Sequence, residues 1–129
     1  MRSILCLAAK SVIRDAETGT ISVYSILEQL NAEGFPFFLQ ELAVLGMWRR
    51  DADDVPDIDL QVRVRNNDRV LLTGPVRVAF ADKPLHRTIV NLRGLVGQVH
   101  FEFVRDGNVT ASYSIDVQAA AAQALPAEG

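Results

Sequence analysis

The sequence predicts an all-β protein: one antiparallel β-sandwich, Ig-like or C2-like, of seven to eight strands over residues 1–118, with a flexible alanine-rich tail at 119–129. Three observations predict it. Two segments, one at 57–66 and one on either side of Asp106-Gly107, alternate between apolar and polar residues. That period of two puts one face in a core and the other in water. Turn residues separate short apolar runs at regular spacing, as in a sandwich. The 129 residues fit one core, whereas two domains of about 65 residues would each be marginal.

The elements follow in order. Residues 4–13 are apolar enough for a central strand covered on both faces. Met1-Arg2 followed by the apolar run Ile4 to Ala9 resembles a short signal peptide, but that run falls short of a secretory core of about 7–15 residues. Asp15 to Gly19 reads as a turn, and 20–26 as the returning strand. Ile26, Leu27, Leu30 and Phe35 fit either a helical turn or an extended crossover, and Pro36 ends both. Residues 39–48 read as a strand with apolar residues on both faces.

Ile58, Leu60, Val62 and Val64 alternate with Asp59, Gln61, Arg63 and Arg65. After the turn cluster Asn66-Asn67-Asp68 comes a second run, with Val70, Leu72, Val76, Val78 and Phe80 in one phase. The two form a hairpin. Pro75 lacks a ladder donor, so its strand lies at an edge or bulges at Gly74-Pro75. Residues 85–95 give a short strand ending at Gly94 or Gly97. Val99, Phe101 and Phe103 then alternate with Gln98, His100 and Glu102, up to the favoured hairpin turn Asp106-Gly107. Val109, Ala111, Tyr113, Ile115 and Val117 form the return strand. The tail has no apolar stripe with which to dock, and is expected as frayed helix or disordered chain.

With these elements in place, the chain resembles a bacterial family of small β-rich proteins of unknown function. The resemblance covers roughly residues 4–117. It rests on the first strand with Cys6, Gly19-Thr20-Ile21-Ser22 with Ile26 after it, Phe35-Pro36, Asn91-Leu92-Arg93-Gly94-Leu95, and the Asp106-Gly107 hairpin. These are fold-forming residues. The resemblance implies a cytoplasmic bacterial β-sandwich and carries over no site.

Composition excludes several functions. The chain is 49% hydrophobic and 22% charged, which argues against disorder. Its net charge is -3, with basic and acidic residues interspersed, so no nucleic-acid footprint is expected. No apolar stretch approaches the roughly 18 residues of a membrane span. The single cysteine, Cys6, rules out an intrachain disulfide and argues against a thiolate zinc site. A lone free thiol fits a reducing compartment such as the cytoplasm. Asn108-Val109-Thr110 spells a glycosylation acceptor, incidental without a secretory signal.

Four features carry possible chemistry. Asp51, Asp53, Asp54, Asp57 and Asp59 gather around one loop. Hard cations need six to eight oxygens, and a second loop offers only Asp82 and Asp106, so a solvated turn and no metal are expected. Cys6 sits in an apolar run and reads as a packing residue. His86 and His100 lack ligand spacing. Trp48, Arg49 and Arg50 form the candidate interaction surface, since tryptophan and arginine are enriched at hot spots. The alternative is that Trp48 closes one end of the core. No cofactor motif is present.

The expected function is therefore a non-catalytic interaction or accessory module of a bacterial multi-protein system, with a protein partner or a second copy of itself. The alternative is a small ligand binder or enzyme, assembled in three dimensions from Cys6, His86, His100 and the aspartates.

Overall fold

The computed structural model describes residues 1–32, 38–66, 68–96 and 99–119. The expectations at Phe35-Pro36, Asn67, Gly97-Gln98 and 120–129 lie outside these residues. Among these residues ten strands follow in order: β1 (Arg2–Arg14), β2 (Ile21–Ile26), β3 (Gln29–Ala32), β4 (Phe38–Arg49), β5 (Asp57–Asn66), β6 (Arg69–Ala79), β7 (Leu85–Val96), β8 (His100–Arg105), β9 (Asn108–Ser114) and β10 (Asp116–Ala119). Eight of them form two antiparallel sheets, in the orders β2-β1-β4-β7 and β6-β5-β8-β9. These are the expected strands, and the expected sandwich. The short parallel pair β3 and β10 is a departure. It resolves the open choice near Leu30 in favour of extended chain, and it carries strand structure to Ala119, one residue into the expected tail. Among the described residues, no helix is long and apolar enough to cross a membrane.

The core fills the space between the sheets. From the first sheet come Ala8, Leu42, Val44, Trp48 and Leu92; from the second, Ile58, Leu60, Val62, Val64, Val78, Phe101 and Phe103. The alternation in β5 is realised directly: Ile58, Leu60, Val62 and Val64 are buried in turn. The phase of β6 changes partway. Val64 pairs with Leu72 and Arg65 with Val70, so Leu71 is an extra residue. A bulge shifts every side chain beyond it to the other face, which leaves Val70 exposed while Val78 is buried. Pro75 sits in β6 at a sheet edge, one of its two expected places. The Asp106-Gly107 turn has positive φ at both central residues, 50° and 81°, as a two-residue type I′ hairpin requires.

The first sheet is apolar on both faces because a second layer covers its outside. Pairing of β1 with β4 ends at Ala9–Ala43, while pairing of β1 with β2 continues to Arg14–Ile21. Val12, Ile21 and Val23 pack on Leu7, Ala9 and Leu45, alongside Ile89. Leu45 and Ile89 pair side by side, one position out of phase with the core residue Val44, so they face away from the sandwich core. Lys10 and Ser11 lie by Glu41 and Arg93, and Val12 and Arg14 by His86 to Asn91. Residues 10–26 thus leave the sheet and fold back over it as a β-arm. The bend falls at Lys10, opposite Ser25, whose φ is 57°. At the arm's tip the Asp15 carboxylate accepts the Glu17 and Thr18 N–H groups, and Gly19 turns the chain at φ 73°.

Candidate functional site

The arm creates a groove that the flat sequence does not show. Arg14 at the arm's far end lines this groove together with Arg87 of β7, Arg77 of β6, His86 and Asn91. The groove has a volume of about 550 Å³, with Val12, Val76 and Ile89 supplying apolar wall. Among the described residues, no carboxylate lines it, and of the three arginines Arg77 alone has an ion pair, with Asp59 at 3.3 Å. Both groups are exposed, and such pairs contribute little. A chain of net charge -3 therefore lines one groove with three arginines, drawn from three elements. An excess of positive charge along a groove favours an anion in it.

His86 sits against the ring of Phe80 at 6.3 Å. Burial lowers its proton affinity below the usual histidine value, the charge of Arg14 adds to that, and the carbonyl of Ala79 opposes both. The sign follows by linkage. The unfolded chain takes up the proton more readily, so stability due to neutral His86 is complete above about pH 6.5 and is lost as pH falls below it. Denaturant midpoints measured from pH 7.5 to 5 should fall with pH, and His86→Asn should flatten the slope. An unchanged slope would contradict this environment for the ring.

The other predicted site residues lie elsewhere. Trp48 is fully buried. Its indole meets the Phe103 ring edge-on at 5.2 Å, and its Nε1 donates to Thr88 Oγ1 at 3.1 Å. Of the two readings of Trp48, burial favours the core and corrects the one that offers its indole to a partner. The signal was present: Leu42, Val44 and Trp48 share one phase of β4. Arg50 is a staple rather than a contact residue. Its Nε and Nη2 donate to the Asp54 carbonyl at 3.1 and 2.8 Å, and its Nη1 to that of Ala81. Of the three, only Arg49 is exposed.

The aspartate loop is occupied by protein groups. Asp51 pairs with the Met1 amino group at 2.7 Å, and Asp54 pairs with that amino group and with Arg105. The hydrogen bond from the amino terminus is the main reason why the Asp54 carboxyl is held below the usual range, with the Asp51 N–H and Arg105 assisting against a small opposing effect of burial. Asp53 and Asp57 are exposed. Among the described residues, no three His, Cys, Asp or Glu side chains are grouped to hold a metal.

Cys6, His86 and His100 occupy three separate surroundings. His100 Nδ1 and Ser114 Oγ lie 2.6 Å apart, on the exposed face of the second sheet. On the same face Glu102 accepts from Arg63 Nε at 2.9 Å and from Arg65 Nε at 2.7 Å. Burial opposes ionisation of Glu102, but the two guanidiniums outweigh it and hold the carboxyl below its ordinary value. Cys6 is half-buried against the core, and burial pushes its thiol up to about 11. A thiol reagent at pH 8 should label Cys6 on the order of a hundredfold more slowly in the native protein than in denaturant, because only the thiolate reacts. Rapid native labelling would restore the nucleophile reading.

The match to a family of unknown function, DUF6941, spans residues 4–118. The chain belongs to this family. The DUF6941 match takes in both sheets, the arm and all the residues lining the groove. No curated protein matches the chain.

Sequence reasoning missed Arg14, Arg77 and Arg87. The available signal was weak: Arg87, Ile89, Asn91 and Arg93 alternate along one phase of β7, giving a strand with a basic stripe. Nothing local says that Arg14, more than seventy residues earlier, folds back against it.

Proposed function

We propose that this protein is a non-catalytic binding module that takes an acidic segment of a partner protein into the groove between arm, β6 and β7. One observation carries the reading: Arg14, Arg77 and Arg87, from three elements, line one groove in which the described residues place no carboxylate. Guanidinium forks match carboxylates in geometry as well as charge. The bacterial and cytoplasmic setting expected from the sequence belongs to the same proposal, supported by the lone half-buried thiol. A short acidic segment suits the site better than a nucleic acid, because three arginines cover few phosphates and the rest of the chain is net negative.

The test is a titration of three probes in 0.15 M salt: a ten-residue peptide with glutamate at every second position, inorganic pyrophosphate, and a twelve-nucleotide single strand. Saturable binding of the peptide that weakens several-fold at 0.3 M salt is expected. If the peptide does not bind while pyrophosphate does, the small-ligand alternative replaces this reading. If only the oligonucleotide binds, the partner class is wrong.

A further inference from the structure

Strand β7 is the long free edge of the first sheet. It pairs with β4 from Leu85 to Val96, and among the described residues no strand pairs with its other side. The groove runs along that edge. His86 and Thr88 belong to one phase of β7, with Thr88 buried against Trp48; Arg87, Ile89 and Asn91 belong to the other, with Ile89 under the arm. Side chains of both phases can line one groove only where it follows the strand's edge, because successive residues point to opposite faces. Arg14 of the arm and Arg77 of β6 line the same groove.

A free edge offers unpaired N–H and C=O groups as a template for another strand. Positive charge beside it repels the same edge of a second copy and attracts acidic chain, so the arginines act as a filter on what may pair. From this, and resting on the acidic-segment reading above, we propose that the partner segment binds as an added β-strand along β7. Main-chain hydrogen bonds to the edge would hold it, and its carboxylates, all in one phase and so on one face, would reach Arg14 and Arg87 on the side of the arm.

The experiment uses ten-residue peptides in which aspartate or glutamate alternates with valine, isoleucine or threonine. The tightest binder is remade with N-methyl groups on the amides of its odd residues, and separately on those of its even residues. In an edge strand only one of these two sets of amides points at β7. One methylated peptide should bind at least tenfold more weakly than the parent, and the other within about twofold, since an added strand shows alternate amides to its neighbour and to solvent. Equal binding by both, or equal loss by both, would overturn strand addition while leaving the acidic-segment reading in place. Failure of every parent peptide to bind would overturn that reading and this inference with it.

Discussion

Trp48→Ala is expected to lower the stability of the fold by about 3–5 kcal/mol, the range for truncating a buried large aromatic. The indole spans the gap between the sheets, from β4 to Phe103 on β8. It is also tied to its own sheet through Thr88 Oγ1. Thr88 Oγ1 in turn donates to the Gly46 carbonyl at 3.4 Å. The surroundings leave no slack: a Cβ at Gly46 would stand 2.8 Å from Thr88 Oγ1 and 3.1 Å from the indole. A cavity at Trp48 would therefore be lined by groups already fixed by their own partners, and collapse around it would be limited. Denaturant melts give the loss directly. A destabilisation under about 1 kcal/mol would mean that the indole is not in the core.

Arg14→Ala combined with Arg87→Ala is expected to weaken binding of the acidic peptide on the order of a hundredfold. A hydrogen bond to a charged group contributes about 1.5–3 kcal/mol, and each 1.4 kcal/mol is tenfold in affinity. Each single substitution should account for about a tenfold loss. Melting of the double variant should stay close to that of the parent, because Arg14 is exposed and neither guanidinium anchors the core. Arg87→Lys should recover part of the loss, since it keeps charge but not the planar fork. Arg69→Ala, at the far end of β6, should have no effect. Loss of affinity equal to that of the double variant on Arg69→Ala would show that net charge alone, and not the groove, attracts the peptide.

The fold was legible where the physics is local. Period-two alternation identified β5 and β8, Asp106-Gly107 identified its turn, and Pro75 narrowed β6 to an edge or a bulge, of which the edge is the one found. The departures also have local physical causes. A single extra residue at Leu71 flips the phase of Val70, and no residue type at that position announces a bulge. Trp48 was readable as core from its shared phase with Leu42 and Val44, but its neighbours Arg49 and Arg50 drew the reading towards a surface. Apolar residues on both faces of β1 and β4 correctly required a cover on each side. They did not say that β1 itself supplies one by bending at Lys10. The groove depends on that bend, so its residues are brought together only by tertiary structure.

The most direct measurement is the backbone amide spectrum of the 15N-labelled protein, followed during titration with the acidic peptide. The account predicts shifts that saturate and cluster at Arg14, Arg77 and along His86 to Asn91, with little change in the loop from Asp51 to Asp57. Saturable shifts confined to that loop or to the exposed face around Arg63, Glu102 and His100, with β7 unmoved, would contradict it.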